Sequence, residues 1–201
     1  MTTQEIITRF QLQVDDASEL SAAEELDLAN EVYTDIQNDR PWEWLKKTYT
    51  GSTSTSVPYV SLPTDFAYIL QNIDGKAIVF IGTDYQEYEV IPFSLRRNYR
   101  DQDGFCYIDI SNSRLYFTKQ PTEVKSIEYD YIKVASALTL NTSPIFREGF
   151  HKIISYGMAA KFNPIELTDK DVSYQKENRI EYLKMLQDMA VEDANIKLSV
   201  G

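Results

Sequence analysis

The hydrophobic pattern changes period twice along the chain. Up to residue 45, and again from residue 140, apolar side chains recur at helical spacing. Between residues 46 and 139 they alternate, or gather in short β-branched runs. A chain written this way suits neither an all-helical nor an all-β fold. One block of strands between two helical blocks argues for an α+β fold in which the chain's two ends pack together. The expected organisation is a helical core from 1–45 and 140–201 with a β-rich insertion at 46–139, forming one structural unit overall.

Local signals sharpen the helices. Thr2 and Glu5 form a capping box ahead of Ile6, Ile7, Phe10 and Val14, which predicts a short first helix. Ser21 and Glu24 form a second box. It opens a stronger helix with Ala22, Leu26, Ala29, Tyr33 and Ile36 on its apolar face, ending near Asn38, before Pro41. Ser143 as N-cap and Pro144 at the first helical position predict a third helix carrying Phe146, Phe150, Ile153, Ile154, Gly157 and Met158, stopped by Asn163-Pro164. A long last helix starts at Thr168 to Asp171 and runs to about Lys197, with Tyr182, Leu183, Leu186, Met189, Ala190 and Ala194 on one side.

In the central block six segments read as strands: Tyr59 to Leu62, Ala77 to Ile81, Tyr85 to Ile91, Phe105 to Ile110, Arg114 to Thr118 and Ser126 to Val134. Asp74-Gly75 and Ser111-Asn112-Ser113 read as hairpin turns. Close spacing predicts an antiparallel sheet or small barrel. Tyrosine is unusually frequent, at 14 copies, and suits broad sheet surfaces and contact patches.

Charge narrows the function. The chain carries 20 Lys and Arg against 31 Asp and Glu, a net of −11, which argues against a generally basic nucleic-acid binder. Residues 1–39 hold ten acids and one base, so that segment alone is −9. Such a run is either a solvated helical face or a surface that meets a polyanion without sticking or a basic partner. No apolar run approaches the roughly 20 residues of a membrane span, and the start has no signal-peptide pattern, so no membrane partner and synthesis in a cytoplasm are expected.

Chemistry is sparse. The seven glycines form no G-x-G pair, P-loop or G-x-S-x-G elbow. Asp101-Gln102-Asp103-Gly104 resembles a calcium loop only locally: in register its first position is Tyr99 and its last Ile110. The one His, His151, lies beside the apolar stripe and reads as a surface or packing residue. The one Cys, Cys106, reads as a small buried hydrophobe. No enzyme, cofactor or metal site is expected.

The stretch Asn38 to Ile69 is the most distinctive text. A helix runs into Arg40-Pro41-Trp42-Glu43-Trp44-Leu45, a Thr/Ser-rich strand follows, and then come Tyr59 and a Leu62-Pro63-x-Asp65-Phe66 turn. With Pro144-x-Phe146, Phe150, Ile153, Ala159, Ala160 and Phe162 and the long charged helix at the end, the chain resembles the head-to-tail adaptors of tailed bacteriophages. These are the connector or neck proteins, including the tail tubular protein A group. The resemblance implies a structural virion protein at the neck. It implies a ring of about twelve copies between the portal protein and a tail or nozzle protein. Double-stranded DNA passes through transiently and without sequence specificity, and no reaction is catalysed.

On that frame three sets of residues are candidates. Tyr182, Met185, Leu186, Met189 and Ile196 of the last helix form a portal or subunit interface. Arg96, Arg97 and Arg100 contact an acidic neighbour. Asp15, Asp16, Glu19, Glu24 and Glu25 face the channel. Trp42 and Trp44 with Leu62, Pro63, Asp65 and Phe66 are expected at a helix–sheet junction, where Asp65 caps the backbone beyond the turn. The competing reading is a β-rich tail or surface module that recognises carbohydrate or protein through its Tyr-rich sheet.

Overall fold

Both capping boxes form. In the structure, a computed structural model that describes residues 1–14, 18–164 and 169–200, Thr2 Oγ1 accepts from the Glu5 N–H and Glu5 accepts from the Thr2 N–H. This opens α1 (Thr3–Gln11). Ser21 and Glu24 repeat the arrangement at the start of α2 (Ala22–Asp39). Each box satisfies donors that a helix start leaves without partners. α1 buries Ile6, Ile7 and Phe10, while Val14 lies beyond its end.

The chain divides into two compact units, Met1–Trp44 with Ala135–Gly201, and Leu45–Val134. The first contains α1, α2, α3 (Lys152–Lys161) and α4 (Asp169–Val200). α3 packs against each of the other three helices. Gly157 of α3 makes the crossing close: a Cβ there would overlap Val32 Cγ1 of α2 and lie 3.1 Å from the Tyr182 ring of α4. α2 ends where Trp42, fully buried, turns back and donates its indole N–H to the Ile36 carbonyl at 2.6 Å. That carbonyl is one of the four a helix end leaves unpaired.

The third helix starts later than Ser143-Pro144 predicts. The chain from 135 to 142 is instead irregular, with a turn at Leu140-Asn141, and is tied down by hydrogen bonds to α1 and α2. Asn30 of α2 pairs with both the N–H and the carbonyl of Leu138. The first N–H groups of α1, from Thr3 and Gln4, donate to the Thr142 and Leu140 carbonyls. Pro144 and Phe146 are buried in this irregular segment, and a single 3-10 turn at Glu148–Phe150 precedes α3. Asn163-Pro164 stops the helix as expected.

The second unit holds eight strands: β1 (Lys46–Ser52), β2 (Tyr59–Ser61), β3 (Phe66–Ile69), β4 (Ile78–Ile81), β5 (Gln86–Ile91), β6 (Phe105–Asp109), β7 (Arg114–Phe117) and β8 (Ser126–Lys133). They run β1-β8-β4-β5-β6-β7-β2, with β3 paired to the far half of β8. The sheet is a nearly closed, mixed one. The expectation of a purely antiparallel sheet fails at one place: β5 and β6 are parallel, Val90 opposite Cys106. Parallel neighbours need a crossover of about a dozen residues, and Pro92–Gly104 supplies it. Its 3-10 turn at Phe93–Leu95 follows Pro92. β3, which is not among the six segments expected as strands, begins at Phe66, the last residue of the expected turn, and its register shifts between Phe66 and Tyr68.

Val60, Val79, Cys106, Leu115, Ile127, Tyr129 and Tyr131 form the centre of this unit. Tyr129 stacks on Tyr49 at 4.8 Å, and its buried hydroxyl has no hydrogen-bond partner. A buried hydroxyl without a partner costs free energy that a phenyl ring avoids. Tyr129→Phe is therefore expected to raise stability by about 1 kcal/mol. A urea-unfolding midpoint equal to or below that of the wild type would contradict this.

Candidate interaction surfaces

α4 has two apolar sides. Toward its own unit it buries Met185 and Met189 together with Asn178 and Asp193, while Tyr182 and Leu186 are half-buried beside them. The opposite side exposes Ile180, Leu183 and Val191, each more than half exposed. At about 3.6 residues per turn these three share one stripe, roughly opposite Met185 and Met189. Of the candidate interface residues, Met185 and Met189 are thus core. Leu183, expected on the same side as Met189, faces outward instead. Ile196 lines a crevice of about 120 Å³ with Trp44, Phe146, Phe150 and Met189. The spacing 180–183–191 was visible in the sequence, but it was masked by the continuous bulk of the helix.

The acids are also sorted by the fold. Asp15 and Asp16 lie outside the described residues. Glu19 is exposed, and Glu24 is exposed but engaged in the Ser21 cap, which holds its carboxyl below the ordinary value. Glu25 turns inward: it is 5% exposed and accepts from Gln11 Nε2 at 2.7 Å. Asp27, Glu31 and Asp35 continue down the outer face of α2 at spacings of four, a stripe that the sequence reading did not single out. Lys161 bridges Glu31 and Asp35, leaving the stripe net negative.

The three arginines stand on the Pro92–Gly104 crossover. Arg96 lies over the Phe93 ring at 3.8 Å and donates to the Phe93 carbonyl at 2.8 Å. Arg97 and Arg100 are exposed, and Arg100 pairs with its neighbour Asp101 at 3.5 Å. Behind them runs a ladder of contacting rings across β6, β7 and β2, edge-on at Phe93–Tyr107, stacked at Tyr107–Tyr116 and tilted at Tyr116–Tyr59. Phe93 meets Tyr107 at 5.8 Å, Tyr107 meets Tyr116 at 5.3 Å, and Tyr116 meets Tyr59 at 5.2 Å, with Arg114 over Tyr59 at 3.9 Å. The pairing Tyr59↔Tyr116↔Tyr107 in the strand register places these rings side by side. An arginine closes the ladder at each end.

The tryptophan and turn residues each pack within their own unit. Trp42 and Trp44 stack at 5.9 Å, and Trp44 meets Phe146 at 5.5 Å. In the β unit Leu62 is buried and Pro63 half-buried, and Phe66 stacks on Tyr131 at 5.7 Å. The Asp65 side chain does not cap the turn. It accepts from Tyr131 Oη at 2.8 Å and pairs with Lys47 Nζ at 3.1 Å.

Two carboxylates in this unit have lowered pKa values. Burial pushes Asp65 up, but the hydrogen bonds from Tyr131 and Lys47 outweigh it. Asp103 is lowered by Tyr88 first and then by Lys119, against burial. Groups with lowered folded pKa values stabilise above their unfolded value of about 4, and that contribution is lost as pH falls through the folded pKa. Tyr88, Tyr129 and Tyr131 are raised, chiefly by burial. Their contribution is full below about pH 10 and is lost as pH rises further. Denaturant midpoints are thus expected to fall below about pH 4 and above about pH 10, with tyrosinate absorbance appearing together with unfolding. Tyrosinate forming in the folded state as it does in free tyrosine would contradict this.

His151 is buried, with Nε2 2.8 Å from the Phe146 carbonyl oxygen and Nδ1 3.0 Å from the Met1 carbonyl oxygen and 3.2 Å from the Met1 amine. It packs and ties rather than facing solvent. Cys106 is fully buried, which pushes its thiol pKa up. Among the described residues no helix is long and apolar enough to cross a membrane.

A family model described as SU10 adaptor protein matches residues 1–197. No curated protein matches the chain.

Proposed function

The chain belongs to the SU10 adaptor protein family, a family of phage structural proteins, and from that membership we propose that it forms a closed ring at the neck of the virion, between portal and tail. The observation that carries the reading is the extent of the match, which spans both helical segments and all the strands. About twelve copies form the ring, and double-stranded DNA passes through it without base-specific contact. The helices of both chain ends act as one bundle that makes the wall. The outward stripe Ile180, Leu183 and Val191, with Tyr182, Leu186 and the Ile196 crevice, meets the portal protein or the next subunit. Asp15 to Glu24 faces the channel mouth, where negative charge repels the duplex and keeps it centred. The role is positional, with no bond made or broken.

The carbohydrate-module reading draws less support. Tyr107 and Tyr116 stack face to face, and Arg114 lies over the Tyr59 ring, so these faces are engaged within the chain rather than presented to a sugar. The test is the state of the purified protein and of particle-derived neck complexes, measured by native mass spectrometry and electron microscopy. A closed ring with an axial opening is the expected result. A monomer under both conditions would overturn the reading. A ring whose 15–24 segments all point away from the channel would remove the lining.

A further inference from the structure

We propose that the Pro92–Gly104 crossover, with its arginine–aromatic ladder, docks on the acidic outer face of α2 in a second copy of this chain. The inference rests on the ring reading and names one of the contacts that would close the ring.

Three observations lead there. First, the crossover projects Arg97 and Arg100 into solvent beside exposed Phe93 and Leu95. Arginine with exposed aromatic and aliphatic bulk is the composition of an energetic interface centre rather than of a solvated loop. Second, the base from which Arg97 and Arg100 project is held before any partner arrives. Arg96 is fixed on Phe93 and its carbonyl, and Phe93 leans on the tyrosine ladder. A rigid surface loses little side-chain entropy on binding. Third, the complementary charge is on the same chain. Asp27, Glu31 and Asp35 form a stripe on α2, net negative although Lys161 pairs with Glu31 and Asp35. Guanidinium groups pair with carboxylates through two parallel hydrogen bonds, which gives register as well as attraction. A head-to-tail contact between two different patches of one chain generates a ring when the rotation closes. DNA phosphate is the competing anion, but the chain's net charge of −11 opposes it.

The experiment uses the full chain. Arg97→Glu with Arg100→Glu leaves Arg96 and the ladder intact, so the fold is checked by an unchanged melting curve. This variant is expected to raise the concentration for half-assembly by at least about tenfold. The neutral pair Arg97→Ala with Arg100→Ala should weaken assembly more at low salt than at high salt. Asp27→Lys with Glu31→Lys should impair assembly likewise, and mixing the two charge-reversed chains, or combining all four changes, should restore it. If the wild type forms rings and the arginine variant still assembles normally at every salt concentration, the docking is wrong while the ring reading stands. If both charge-reversed chains fail and neither mixing nor combination rescues them, α2 is not the partner and the proposal falls. If the arginine variant assembles normally but loses binding to a labelled 20-bp duplex that the wild type binds, the surface is a nucleic-acid contact instead. A wild type that stays monomeric alone and in particle-derived complexes sinks both readings together.

Discussion

Trp42→Ala is expected to cost about 3–5 kcal/mol, the range for removing a fully buried large aromatic side chain. The loss has two parts. The indole fills the space beneath the end of α2, stacked on Trp44 and covered by the Arg40 guanidinium at 4.9 Å. It also satisfies the Ile36 carbonyl. Trp42→Phe separates the two parts: it keeps most of the volume and leaves the carbonyl without its donor, so about 1–3 kcal/mol is expected. Chemical denaturation of the three proteins checks both values. A cost for Trp42→Ala below about 1 kcal/mol would mean that the site collapses around the gap and that the tryptophan is not the anchor of this turn.

The second large effect is expected at Gly157. Alanine is ordinarily better than glycine inside a helix by about 1 kcal/mol. Here the added methyl has no room between Val32 and Tyr182. Gly157→Ala should therefore destabilise by about 1–3 kcal/mol despite the propensity gain, because neighbours must move off their preferred rotamers. Val32→Ala in the same chain removes the overlapping methyl group and should recover part of the loss. A stabilising Gly157→Ala, or a double variant no better than the sum of its parts, would show that α2 and α4 can move apart freely.

Signals that act within a few residues were readable from the sequence. Both capping boxes, the stop at Asn163-Pro164 and all six strands read from the pattern stand within one or two residues of their predicted limits. What could not be read depends on partners distant in sequence. Ser143-Pro144 is a good helix start locally, but the N–H groups of Thr3 and Gln4 claim the carbonyls just before it. Glu25 looks like one more surface acid until Gln11 comes alongside. The parallel β5–β6 pair did leave a trace: a gap of about a dozen residues between Ile91 and Phe105 is too long for a simple hairpin and suits a crossover. The two sides of α4 were indistinct because apolar residues occupy most of its circumference.

The β1–β8 ladder bears on how this chain reaches its fold. These are the first and last strands of Leu45–Val134, and they pair from Lys46↔Ile132 to Ser52↔Ser126. The chain therefore leaves that unit beside the point where it entered. Joining helices across a flexible tether of about 90 residues costs about 3 kcal/mol more in loop-closure entropy than joining them across a few residues. Once the ladder zips, the tether is effectively short and most of that cost disappears. During synthesis α1 and α2 emerge long before α3 and α4 exist, and at about 5–20 residues per second the wait lasts several seconds. The insertion is synthesised before α3 and α4, and its β1–β8 ladder, once formed, shortens the tether across which the late helices must find the early ones.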